Sequence, residues 1–106
     1  MLKVPREPEE IKALMHSVRE GLRGVDDIDS DSLAVWSFNM LPKYLWECWK
    51  GELKEKGITW QKFLRVLKLR TIDIIEWGLY GRLSWGELVE RIRRTVETYS
   101  ERGGEK

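Results

Sequence analysis

Two seven-residue stretches, Ile58-Thr59-Trp60-Gln61-Lys62-Phe63-Leu64 and Leu83-Ser84-Trp85-Gly86-Glu87-Leu88-Val89, line up position by position. The match continues to Leu67 and Ile92, and Gly57 and Gly81 stand just upstream. What the copies share is the chemistry of a helix start. Thr59 and Ser84 stand as N-caps, whose hydroxyl oxygens take a backbone N–H of the first turn. Ile58 with Phe63, and Leu83 with Leu88, flank the caps as hydrophobic staples, and Ser84 with Glu87 adds a capping box. Two well-capped helices explain the echo without a functional repeat. The second half of the chain is thereby committed to helix.

The remaining apolar residues recur at helical spacing too. Proline suits a first helical turn, so a first helix opens near Pro8, with Ile11, Leu14, Met15, Val18 and Leu22 on one face and Gly24 as its stop. Residues 25–31 form an acidic connector rich in cap residues. Residues 32–41 fit a helix through Leu33, Trp36, Met40 and Leu41, and a strand through Ala34, Trp36, Phe38 and Met40; helix is preferred, with a minor β element near 33–40 as the other reading. Pro42 opens a helix that Gly57 ends, with Leu41, Leu45, Cys48, Trp49 and Glu52 as its inner stripe. The last helix runs from Trp85 to about Tyr99, burying Trp85, Leu88, Val89, Ile92, Val96 and Tyr99. Residues 60–79 form either one helix, which leaves Leu69 opposite the core, or two helices broken near 68–71 in a helix-turn-helix manner. The expected fold is mostly α: one domain over 1–106, a compact bundle of about five helices with frayed ends at 1–7 and 101–106.

Length and composition exclude several functions. A chain of 106 residues supplies one ordinary domain. No run approaches the ~20 apolar residues of a membrane span, and the N-terminus lacks the apolar core of a signal peptide. One cysteine, Cys48, leaves no internal disulfide, and one histidine, His16, leaves few parts for metal or triad chemistry. Cys48 reads as a small core residue and His16 as a solvated one. The expectation is a cytoplasmic binding protein, not an enzyme, with no cofactor and no metal. Asn and Gln occur once each against 19 Lys+Arg and 18 Asp+Glu, the bias of a heat-adapted proteome such as an archaeal thermophile's.

The net charge of +1 hides a gradient: residues 1–40 sum to −3 and residues 60–94 to +4. Lys62, Arg65 and Lys68 have no acid three or four positions away, whereas Glu87–Arg91 and Glu90–Arg94 are local pairs. Six tryptophans are the other oddity. Trp49, Trp60 and Trp85 lie on apolar stripes. Trp46 falls at the border of its helix's stripe beside Lys43, Lys50 and Lys54, and Trp77 is similarly marginal near Arg70. Packing at the rim of a small core explains such rings. So does stacking on unpaired bases, with cations following the phosphates. The candidate nucleic-acid contacts are Trp46, Lys50, Trp60, Lys62, Arg65, Lys68, Arg70 and Trp77.

Trp36 through Ile92, and above all Trp46-Glu47-Cys48-Trp49 and the two echoed segments, resemble the ThermoDBP group of archaeal single-stranded DNA-binding proteins. The resemblance covers about half the chain. It implies a cleft of aromatic and apolar residues edged by basic ones, with Trp46, Trp60 and Trp77 inside and Lys62, Arg65 and Arg70 at the edge. Two departures accompany it: no long heptad-bearing C-terminal extension of the family's dimerising kind is present, and the helical reading lacks the family's β-structure. The spacing of Leu64, Leu67, Leu69, Ile74, Trp77, Gly81 and Leu88 also resembles a repressor-type helix-turn-helix, with residues 72–80 as the recognition helix. A helical protein–protein adaptor is the third reading. The expected function is single-stranded nucleic-acid binding of low sequence specificity, DNA or RNA, with a homo-oligomer compatible and no membrane partner.

Overall fold

The structure, a computed structural model, describes residues 2–22, 28–36 and 39–103, without the side chains of 28–30 and 101–103. Among the described residues there are six α-helices and no strand: α1 (Glu9–Gly21), α2 (Ile28–Trp36), α3 (Met40–Glu55), α4 (Trp60–Leu69), α5 (Thr71–Gly78) and α6 (Trp85–Gly103). The minor β element is corrected. Residues 33–36 belong to α2, where Ala34 and Val35 are buried side by side and Leu33 points out. Phe38, the Gly24 stop and the 25–27 part of the connector lie outside the described residues, as does the expected fraying at 104–106; residues 101–103 continue α6.

Both echoed helix starts form. Thr59 Oγ1 accepts the Lys62 N–H at 3.2 Å. Ser84 and Glu87 close a reciprocal box, Glu87 N–H to Ser84 Oγ at 3.1 Å and Ser84 N–H to Glu87 Oε1 at 3.3 Å. Upstream, α3 ends in a full Schellman motif. Ile58 N–H reaches Leu53 O at 2.9 Å and Gly57 N–H reaches Lys54 O at 3.0 Å. Gly57 sits at φ +77, where a side chain is strained. Leu53 and Ile58 pack at the motif's apolar contact, both essentially buried.

Two expected stripes are shifted. On α3 the buried row is Leu41, Pro42, Leu45, Trp49 and Leu53, while Cys48 is exposed and Glu52 is half-buried. The buried residues step by four, as they do when a helix packs along its i, i+4 ridge. Each such step turns the stripe by ~40°, which carries it past Glu52 to Leu53. In the second half, residues 60–79 break at Arg70 (φ −100, ψ 20). The break does not bury Leu69, which stays 57% exposed beside Ile72 at 55%. Instead it re-aims α5 so that Ile74, Ile75 and Trp77 all face the core. At Gly78 α5 comes close to α1: a Cβ there would lie 2.6 Å from Met15 Sδ, so the methionine would have to shift.

Residues 2–8 do not fray. They run as a non-helical strap against α3, α5 and α6, with Leu2 buried to 1% exposure. Its acceptors meet donors from the body in regular order. Trp49 Nε1 donates to Lys3 O, Trp85 Nε1 to Pro5 O, and Trp77 Nε1 to Glu7 Oε2, each at 2.7 Å. The Tyr44 hydroxyl donates to Arg6 O at 2.6 Å. Three of the six tryptophans thus serve as ties between strap and bundle.

Candidate nucleic-acid interface

The α3–α4 turn sets the geometry of the site. The Schellman turn reverses the chain, and the Thr59 cap starts α4 so that Trp60 comes to lie against Trp46 of α3. Their ring centres are 5.6 Å apart at 76°, edge to face. Trp46 is backed by Phe63 at 5.8 Å, and Phe63 by Trp49 at 6.2 Å, so the half-buried Trp46 ring leans on a buried aromatic row. A cleft of about 330 Å³ opens here between Trp46, Lys54, Ile58, Thr59 and Trp60. Lys54, which the sequence sets beside Trp46 without making it a contact, is the charged lining residue that the candidate set missed. Its signal is the two-turn spacing from Trp46.

The basic candidates divide by partner. Lys62, Arg65 and Lys68 occupy the outward side of α4 and have no ion pair among the described residues. Lys50 pairs with Glu47 at 3.2 Å, with both side chains about half exposed or more. Such a surface pair is weak and exchangeable. Arg70 is differently placed: its guanidinium lies 3.1 Å from Asp73, which also takes Arg91 at 2.7 Å.

Trp77 does not join the cleft. It is 1% exposed, packs on Trp85 at 5.0 Å, carries Lys12 over its ring at 5.5 Å and spends its N–H on Glu7. A ring so enclosed has no face for a base. The structure therefore brings Trp46 and Trp60 together beside the turn, leaves Lys50 in a surface pair with Glu47, carries Lys62, Arg65 and Lys68 on the outward side of α4, and leaves Arg70 in an ion-pair cluster and Trp77 in the core.

A larger cleft, about 850 Å³, lies between the strap, α1 and α3. Its walls include Ile11 and Leu14, and its rim sets Arg6 and Lys43 against Glu10 and Glu47. The balanced charges select no anion. Cys48 is exposed, with burial of part of its surroundings pushing the thiol above its usual range, and His16 is exposed on α1. No cluster of three or more His, Cys, Asp or Glu able to hold a metal occurs among the described residues, and none of their helices is long and apolar enough to cross a membrane. Comparison of the chain with protein-family models, with curated proteins and with solved structures finds no match in any of the three.

Proposed function

We propose that the protein binds single-stranded nucleic acid with low sequence specificity at the α3–α4 surface. One observation carries the reading: a partly exposed Trp46–Trp60 pair at the start of α4, a helix whose outward side carries Lys62, Arg65 and Lys68 with no acidic partner among the described residues. Base stacking on such rings is worth ~1–3 kcal/mol per base. Three phosphate contacts through Lys62, Arg65 and Lys68 give log K a slope of about −2 against log salt on single strands. The ThermoDBP resemblance points the same way but rests partly on the same residues, so it adds little independent support. A cytoplasmic setting and a heat-adapted archaeal source belong to this proposal, supported by the lone cysteine and the scarcity of Asn and Gln.

The helix-turn-helix reading is less well supported. Its recognition helix would be α5, which carries no Lys or Arg. Asp73 and Glu76 of α5 are already paired with Arg70, Arg91 and Arg82, so the helix itself presents no uncommitted charged side chain to read bases or hold phosphates. The adaptor reading has one observation of its own, the adjacent exposed Leu69 and Ile72 at the α4–α5 elbow.

Fluorescence anisotropy with labelled single-stranded DNA, single-stranded RNA and duplex DNA at two salt concentrations tests the proposal. Salt-dependent binding to single strands with quenching of tryptophan emission is the expected result. Preference for duplex returns the helix-turn-helix reading, and no binding to any of them at low salt returns the adaptor.

A further inference from the structure

We infer that the corner between Trp46 and Trp60 is a slot for one unstacked nucleobase, purine in preference to pyrimidine; this rests on the single-strand reading above. The geometry of the two rings decides the number. At 76° they are two walls of a corner, not parallel plates. The edge of one is spent against the face of the other, so the pair cannot continue a ladder of stacked bases. A base entering the corner stacks on one indole and meets the second with its rim. The cleft's 330 Å³ lies at the small end of ligand sites. That is enough for one base and its sugar.

The rim sets the chemistry of the occupant. Lys54 has no ion pair among the described residues, and no carboxylate lines the cleft. Thr59 Oγ1 already accepts the Lys62 N–H, so its hydroxyl hydrogen is left to donate outward. The occupant must therefore supply acceptors. Ring nitrogens, exocyclic oxygens and the attached phosphate do so. The floor is Ile58, 1% exposed and held by the Schellman turn, and Trp46 is braced from behind by Phe63. The slot is thus preformed and loses little entropy on filling. A bicyclic purine covers more of an indole face than a single ring does, which gives the preference.

The test uses the full chain and four short single strands of equal length: all pyrimidine, the same with one central purine, the same with two adjacent purines, and the same backbone with no bases. The one-purine strand should bind about fivefold or more tighter than the base-free backbone, from the low end of the stacking range, with the all-pyrimidine strand between the two. A second adjacent purine should add no more than the statistical factor of about two, since a single slot is already filled. Trp60→Leu, checked for native helix content, should abolish the purine gain, so that the one-purine and all-pyrimidine strands bind alike. Lys54→Ala, at an exposed side chain, should lower binding of the one-purine strand more than that of the base-free backbone. Affinity that grows with each added purine, or that ignores purines, overturns the slot and leaves the single-strand reading standing. Failure of every strand to bind overturns both.

Discussion

The indole Nε1 of Trp77 donates to the Glu7 carboxylate at 2.7 Å, joining residues 70 positions apart. Glu7 also pairs with Lys12 at 3.2 Å, and Lys12 in turn lies over the Trp77 ring. The Trp77 hydrogen bond is the largest cause that holds the Glu7 carboxyl below its ordinary 4.5, against a partial opposing effect of burial and with help from Lys12. A folded-state value below the unfolded one means stability that is present above about pH 4.5 and is lost as pH falls through the lowered value. Glu7→Gln keeps an acceptor but removes the charge. It should cost roughly 1 kcal/mol at pH 7, reduced from the usual value of a charged hydrogen bond because Glu7 is partly solvated. Urea midpoints of both proteins at pH 7 and pH 3 measure this, and the gap should close at the lower pH. An equal gap at both would show that the charge does not matter.

Leu2 separates a docked strap from a frayed one. At 1% exposure, Leu2→Ala removes buried methyl groups and should cost about 2–3 kcal/mol. A frayed terminus predicts no measurable loss. Thermal melts suffice, since a domain of this size shifts by roughly 4–8 °C per kcal/mol. A melting temperature unchanged by the substitution would place the strap outside the cooperative fold.

What could be read in the sequence, and what could not, follows from how local each signal is. The caps at Thr59 and Ser84 and the stop at Gly57 act through residues within one turn, so their side chains announce them. The α6 stripe was legible because one unbroken helix keeps one frame. Trp77 was misread because the break at Arg70, marked by neither glycine nor proline, resets the frame and turns the ring inward. Cys48 and Glu52 were misread because the crossing of α3 with its neighbours, not its own periodicity, selects the i, i+4 row. The strap was invisible for a different reason. Most of its acceptors are backbone carbonyls, which every residue type carries, and only the excess of tryptophan hinted that indole donors had work to do. Trp46 and Trp60 were individually legible as rim aromatics, but their meeting depends on the turn that joins α3 to α4.

Asp31 is the single buried acid among the described residues, 5% exposed, and it gathers three elements. Arg19 Nε of α1 lies 2.6 Å from Oδ1, a charge contact without hydrogen-bond alignment, and the Tyr80 hydroxyl donates to Oδ2. Arg82 covers the Tyr80 ring at 4.7 Å and pairs with Glu76 at 3.6 Å. The hydrogen bond to Asp31 is the main cause that raises the Tyr80 hydroxyl above its ordinary 10.0, with burial and the Asp31 charge adding to it. The raised value gives stability that is complete below about pH 10 and is lost as pH rises through the folded value. Asp31→Asn keeps the shape and removes the charge, so Tyr80 should titrate closer to 10. Alkaline titration followed by tyrosinate absorbance, with Tyr80→Phe to assign the step, reads the change. The same variant should be destabilised at pH 7 by about 1–2 kcal/mol, since the Arg19–Asp31 charge contact is lost while Arg19 keeps its bond to Leu22 O. Unmoved tyrosine titration would mean that Asp31 does not hold the hydroxyl in solution.

The cations of α4 should differ in kind from those around Asp73. Lys62, Arg65 and Lys68 have no ion pair among the described residues, whereas Arg91 holds Asp73 at 2.7 Å. On the proposed single-strand ligand, Arg65→Ala should reduce the slope of log K against log salt by about 0.7, one phosphate contact's worth. Lys62→Ala and Lys68→Ala should each do the same. Arg91→Ala should leave the slope alone, and Arg70→Ala should reduce it by less than Arg65→Ala because its charge is already engaged. Trp46→Ala should instead lower affinity at every salt concentration with the slope unchanged, because a stacked base releases no counterion. Titrations of the wild type and these six variants at four salt concentrations separate the two effects. Equal slope losses at Arg65 and Arg91 would mean that the strand is drawn by overall charge and not by the face of α4, and the site would have to be sought elsewhere on the bundle.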